Sequence, residues 1–213
     1  MFYETKRPDL TLDRFRNWEG SEKKSYEEWK LSKTGEFAKF PFGAFAFARL
    51  DERLRNNPLW NTAARQANRD PMGQTPAQPN VEIFNCESML RLNPAEDPEL
   101  NGKHIFGIST MLLSQQSRGT VKLKSIDPNV NPIVDCKFLQ NPLDHLVLSE
   151  GVKLANEIVM ESEALKGIVS GSWPPKSGHH TLTTTEQWMD YVKKSAWACK
   201  FVKFLASSIM EKD

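Results

Sequence analysis

A chain of 213 residues, 39% of them hydrophobic, is long enough to bury a real core as one large domain or two small ones. Its 28 basic and 27 acidic side chains leave a formal net charge of +1, which disfavours nucleic acid as a main ligand. Three scattered cysteines, Cys86, Cys136 and Cys199, show no CxxC spacing, and their odd number argues against a disulfide framework and against a metal site of the zinc kind. The opening "MFYETKRPDL" has no apolar leader core, and no stretch approaches a membrane span. By default the sequence reads as a cytoplasmic chain with no membrane partner.

In chain order, residues 1–35 are polar and charged, with "SYEEWKLSK" as the clearest helix. Ser25 and Glu28 have capping-box spacing, although Ser25 equally fits the inside of a helix begun near Ser21. "KFPFGAFAFARL" alternates Phe40, Phe42, Phe45 and Phe47 with small residues, which suits a strand or an extended segment. "LDERLRNNPLW" reads as a short helix closed by Asn-Asn-Pro. Residues 65–80, rich in proline and amides, read as a mobile loop and form the best internal boundary.

Strand patterns dominate the middle: "NVEIFNCES", "KHIFGISTMLLSQQ" and "GTVKLKSID", the last alternating Val121 and Leu123 with Lys122 and Lys124. "DPNVNPIVD" turns twice and carries a short apolar run. After Asn141-Pro142, apolar residues from Leu143 to Val159 recur at helical spacing and predict a long amphipathic helix. A Gly/Pro/Ser-rich loop, "GIVSGSWPPKSGHH", leads to a last helix from near Thr183, where Thr183 and Glu186 have capping-box spacing. That helix is expected to run through "YVKKSAWACKFVKF", since Val202, Leu205 and Ile209 keep the period. Strands between flanking helices make an α+β pattern, a mostly antiparallel sheet backed by helices.

No complete active site is visible in the motifs. There is no GxSxG turn for a serine nucleophile, no GxGxxG between strand and helix for a dinucleotide, and no phosphate loop. His104 and His145 read as structural or solvated, and His179-His180 as an exposed loop pair. A hydrolase built on His179 or His180 is the remaining alternative of that kind.

The block "SQQSRGTVKLKSIDPNVNPIVDCKFLQNPLDHLVLSEGVKLANEI" resembles the start of the C-terminal region of the glucose–methanol–choline (GMC) oxidoreductases. The resemblance rests on an ordered set: Ser117, Arg118 and Gly119; Val121 and Leu123; Ser125, Asp127 and Pro128; Pro132 and Asp135; Phe138 and Leu139; Pro142 and Asp144; Glu150 and Gly151. It is good from Val81 to Cys199 and looser over residues 1–64. It implies a sheet-plus-helix substrate domain over 81–199, preceded by a helical and extended part of that domain at 1–64 and the loop at 65–80, with a divergent tail at 200–213.

The family are FAD flavoproteins that oxidise a CH–OH group of a small-molecule alcohol, a sugar or a polyketide-like substrate, by proton removal and hydride transfer. Two pocket positions carry over by resemblance: Phe84, on the strand "VEIF", and Met111, on the next strand, as substrate-facing residues. The flavin-binding GxGxxG has no counterpart in this sequence. The catalytic histidine that should follow "DYVKKSAWAC" is replaced by Lys200-Phe201-Val202. The resemblance therefore implies a truncated enzyme, inactive alone and not holding FAD stably. The other expectation is a binding or assembly module that pairs with a flavin-bearing polypeptide.

Overall fold

The structure, a computed structural model, describes residues 1–13, 21–38, 43–88, 100 and 102–196. Phe40, Phe42, Cys199 and the tail from Lys200 fall outside them. The two clearest alternating runs build the centre of the sheet: β3 (Val81–Cys86) and β4 (Ile105–Leu112) pair antiparallel, with Ile83 opposite Thr110 and Phe84 opposite Ser109. β2 (Phe45–Ala48) extends the sheet beyond β3, with Phe45 opposite Phe84. On the other side β1 (Phe2–Thr5) lies between β4 and β7 (Val169–Trp173), giving the order β2-β3-β4-β1-β7, antiparallel throughout. This is the α+β architecture expected from the sequence.

β1 and β7 were not anticipated. "FYET" sits in a charged opening and "VSGSW" in a loop rich in glycine and serine, each too short to show a period. They become strands by pairing, β1 with β4 and β7 with β1, Glu4 lying opposite Gly171 and Tyr3 opposite Ser172. Context, not intrinsic preference, decides such segments.

α4 (Pro142–Glu161) closes one face of the sheet. Its start is built from the residues that carry the family resemblance. Asn141 is the N-cap, its side chain accepting from Leu143 N at 2.9 Å, and Pro142 opens the first turn. Asp144, buried, reaches back and accepts from Gln116 N at 2.6 Å and Ser117 N at 2.7 Å. Six residues further along the helix, buried Glu150 binds Arg53 at 2.8 Å, and Arg53 also reaches Glu157 at 2.9 Å. The next residue, Gly151, faces Val81 and Thr110 so closely that a Cβ would stand 3.0 Å from each. The ordered motif is thus the anchorage of one helix on one sheet.

Arg53 belongs to α2 (Asp51–Leu54), and the Asn-Asn-Pro that ends it starts a second short helix, α3 (Pro58–Thr62), capped by Asn57. α1 (Ser21–Ser32) places Ser25 inside a helix, the second of the two readings. The core under α4 joins Tyr3, Leu54 and Trp60 from the first part of the chain to Val81, Val147 and Val159 from the later part.

Residues 65–80 contain no helix or strand, but they are pinned rather than loose. Asp70 accepts from the amides of Met72 and Gln74 at 2.9 Å, from Asn80 Nδ2 at 2.8 Å and from Arg49 at 3.0 Å. Asn80, fully buried, in turn accepts from Leu50 N at 2.7 Å. Buried polar groups satisfied in this way hold the connection in one shape.

Two further expectations shift. "GTVKLKSID" forms only a three-residue strand, β5 (Thr120–Lys122), paired with β6 (Ile133–Asp135) in a separate two-stranded sheet. Leu123 and Ile126 are exposed there, so the apolar face of that strand meets no core. The last helix, α5 (Thr185–Ser195), is capped one residue later than expected: Thr184 Oγ1 accepts from Gln187 N, and Gln187 Oε1 accepts from Thr184 N. It ends at Ser195, with Ala196 extended, and so does not run on as the periodicity suggested.

His179 is not an exposed loop residue. It is fully buried, edge-on to Tyr3 with ring centroids 4.9 Å apart, and it also touches Tyr191. Burial pushes its imidazole down from 6.5 to about 3, so it is folded in the neutral form. The sign of the linkage follows. The unfolded chain takes a proton below its ordinary value and the folded chain does not, so stability is full above pH 6.5 and falls as pH drops toward about 3. Urea melts at about pH 7.5 and about pH 4.5 are expected to differ by roughly 2–3 kcal/mol from this group alone. His179→Phe, which keeps a ring in the cluster, should remove that part of the slope.

Candidate functional site

The register decides which face each strand residue occupies, because directly opposed residues of an antiparallel pair point the same way. Val81, Ile83, Ile108 and Leu112 share the face covered by α4. Phe84 and Met111, the two residues carried over by resemblance, lie together on the other face, with Ser109 and Glu82 opposite them. β2 adds Phe45 opposite Phe84 and Phe47 opposite Glu82.

Among the described residues, that face is covered at one end. Near β1 and β7, Phe2, Ile105 and Trp173 pack with Leu100 into a small second cluster. Over β2, β3 and β4 the described residues leave it open: Phe45 is 49% and Phe47 62% exposed, while Phe84, Met111, Glu82 and Ser109 are half-buried. Phe45 and Phe84 stack with centroids 5.7 Å apart at 23°. The result is an aromatic platform on a rigid sheet, held flat from behind by α4. The resemblance names Phe84 and Met111, and the register sets Phe45, Phe47 and Glu82 beside them, which the sequence did not indicate. Alternation in "FAFA" and "VEIF" was visible, but the pairing between the two strands was not.

The other candidate chemistry does not assemble. Ser172 Oγ lies 2.6 Å from His180 Nδ1 and also accepts from His180 N at 2.9 Å, so the pair clips β7 to the turn that follows. Ser172 is buried, and among the described residues no carboxylate hydrogen-bonds His180, so the pair lacks both access and an orienting acid. His145 Nε2 stands 2.7 Å from Met189 O and ties α4 to α5. No group of three or more potential metal ligands occurs among the described residues, and none of their helices is long and apolar enough to cross a membrane.

A phosphate-bearing cofactor finds no cradle on these elements. The N-terminus of α4 is occupied by Asn141 and Asp144, and that of α5 by its own capping box. Two hollows, of about 200 Å³ beside Arg53 and Glu150 and about 250 Å³ beside Arg49 and Asp70, are lined mainly by polar and charged side chains and lie apart from Phe84 and Met111.

A five-stranded antiparallel sheet sealed on one face by a long helix and open on the other is an α+β domain of a recognisable kind. Residues 115–207 match the family model described as GMC oxidoreductase. Over 169 residues, 79% of this chain, the sequence is 27% identical to an oxygen-dependent choline dehydrogenase of Paraburkholderia phytofirmans, covering 25% of that protein. Over 109 residues, 51% of this chain, it is 28% identical to versicolorin B synthase stcN of Emericella nidulans, covering 17% of it. The fold matches formate oxidase of Aspergillus oryzae RIB40 with a TM-score of 0.71 at 19% identity, across 91% of this chain and 33% of that one. The later half of the chain is thus similar to the C-terminal region of the GMC oxidoreductases, and the chain spans a quarter or less of the length of these two curated relatives.

Proposed function

We propose that this chain supplies the substrate-facing sheet of an FAD-dependent GMC oxidoreductase that oxidises a CH–OH group, with Phe84 and Met111 lining the pocket. The observation that carries the reading is their position side by side on the open aromatic face, backed by a helix that fixes the sheet. A platform of this kind orients a substrate; it moves no proton and no hydride by itself. In a flavin-loaded protein containing these residues, Phe84→Ala is expected to change the ratio of kcat/KM values between two alcohols about tenfold or more. An unchanged ratio would overturn the assignment.

The residues present do not fit FAD as a resident cofactor, since both long helix N-termini near the sheet are already satisfied by side chains and neither hollow is large or apolar enough. In this reading the flavin is held by other polypeptide, whether in the same longer chain or in a separate one. Leu123, Ile126, Ile133 and Phe138, exposed on and around the β5–β6 hairpin, suit covering by that polypeptide in either form. The 213 residues mixed with FAD are expected to retain no flavin through gel filtration and to oxidise no alcohol. Stoichiometric flavin in the protein peak would contradict this.

A further inference from the structure

The hollow beside Arg49 and Asp70 is lined by two cations, Arg65 and Arg69, that have no carboxylate partner among the described residues. Arg49 itself is fully engaged. It donates to both oxygens of Asp51 at 2.6 and 2.8 Å, to Asp70 at 3.0 Å, and to the carbonyls of Thr75 at 2.6 Å and Gln78 at 2.5 Å. These contacts use every N–H that its guanidinium offers. The Asp70 carboxylate is 3% exposed and is already met by Arg49, by Asn80 and by the amides of Met72 and Gln74. Arg65 and Arg69 are each tethered at one end only, Arg65 Nη2 donating to Trp60 O at 2.6 Å and Arg69 Nη1 to Gly73 O at 2.6 Å. Among the described residues, Nε and Nη1 of Arg65 and Nε and Nη2 of Arg69 remain unused donors.

An arginine already held by a carbonyl loses less side-chain freedom when it takes up an anion. Two guanidiniums on one hollow call for a compact ion with more than one charge and several acceptor oxygens. The space, about 250 Å³, is too small and too polar for a dinucleotide and suits a single tetrahedral oxyanion. One wall group narrows the choice further. Asp51 lines the hollow, its side chain is 41% exposed, and each of its oxygens keeps a lone pair beyond the bond to Arg49. Hydrogenphosphate retains an O–H that can donate to such an oxygen, whereas sulfate has no proton and meets the carboxylate only as a like charge. We propose that Arg65 and Arg69 bind inorganic phosphate, with Asp51 selecting the protonated oxyanion. The bound ion bridges two points of the connection over residues 65–80 and stiffens it. The hollow lies apart from Phe84 and Met111, so the site does not depend on the reading of the open face as substrate-facing.

The test uses the whole chain with 13C-labelled guanidinium carbons, the Arg65 and Arg69 signals being assigned by their loss in Arg65→Lys and Arg69→Lys. Sodium phosphate, sodium sulfate and sodium chloride are titrated separately at mildly alkaline pH and one ionic strength, so that general screening is common to all three. Phosphate is expected to shift both carbons along one binding curve and to bind about tenfold or more tighter than sulfate. Arg65→Gln and Arg69→Gln, at exposed positions and checked by unchanged thermal melts, should each weaken phosphate about tenfold or more. Arg55→Gln, which removes an exposed arginine outside this hollow, should leave the affinity within about twofold. Phosphate and sulfate binding alike, an affinity that survives both glutamine variants, or shifts that chloride reproduces would overturn the proposal.

Discussion

Replacing Trp188 with alanine is expected to cost roughly 3–5 kcal/mol, a large part of the stability of a domain this size. Trp188 is fully buried and packs with Val152 and Val192, with Leu148 and Leu182 at the edge of the cluster. It also meets Tyr191 edge-on, with centroids 5.7 Å apart. The other anchors of α5 are smaller: Val192 in the same cluster, Tyr191 against His179, and the His145 contact with Met189 O. Chemical denaturation should therefore show a lower midpoint, and hydrogen exchange should show α5 losing protection before the sheet does. A cost below about 1 kcal/mol would mean that α5 is not anchored by this side chain.

Gly151→Leu is expected to cost about 3 kcal/mol or more, and by a different route. A Cβ at Gly151 already stands 3.0 Å from Val81 Cγ1 and from Thr110 Cγ2, so the rest of a leucine has nowhere to go unless α4 lifts off the sheet. A glycine in the middle of a helix normally sacrifices up to about 1 kcal/mol relative to alanine. Its presence here is explained by the close approach. Gly151→Ala is the informative control, because the gain in helix propensity and the tight contact oppose one another and the net change should be small. Equal effects of the two substitutions in thermal melts would remove packing as the cause.

Much of the fold was legible because its central elements are long and periodic. The alternation in "NVEIF" and "IFGISTML" and the helical spacing after Asn141-Pro142 fixed the sheet centre and α4. β1 and β7 were not legible, since four and five residues carry no usable period and owe their shape to pairing, β1 with β4 and β7 with β1. Leu123 misled for the opposite reason: a pattern fit for one buried face was present, but the hairpin lies away from the core. The capping box moved by one residue because Thr183 and Thr184 are chemically alike: Gln187 Oε1 accepts from both backbone amides, and it is Thr184 Oγ1, accepting from Gln187 N, that marks the cap.

The candidate site was legible in part and for a particular reason. Asp144, Glu150 and Gly151 make the family pattern specific, yet each acts in anchoring α4 rather than in chemistry. Phe84 and Met111 came from resemblance, and the register then placed them on one face. Glu82 could have been found by counting two residues back from Phe84 along the strand. What could not be counted was that β2 would bring Phe45 and Phe47 beside it. His179 was misjudged because a polar loop conceals how deeply one of its residues can be packed.

The central claim is that the sheet has a structural face under α4 and a substrate face opposite. The most direct measurement compares Phe84→Ala with Leu112→Ala in a flavin-loaded protein containing these residues, reading both thermal stability and the ratio of kcat/KM for two alcohols. Phe84→Ala should change the ratio with little loss of stability, and Leu112→Ala should lower stability with the ratio intact. A ratio that moves with Leu112→Ala and stays fixed with Phe84→Ala would contradict the account.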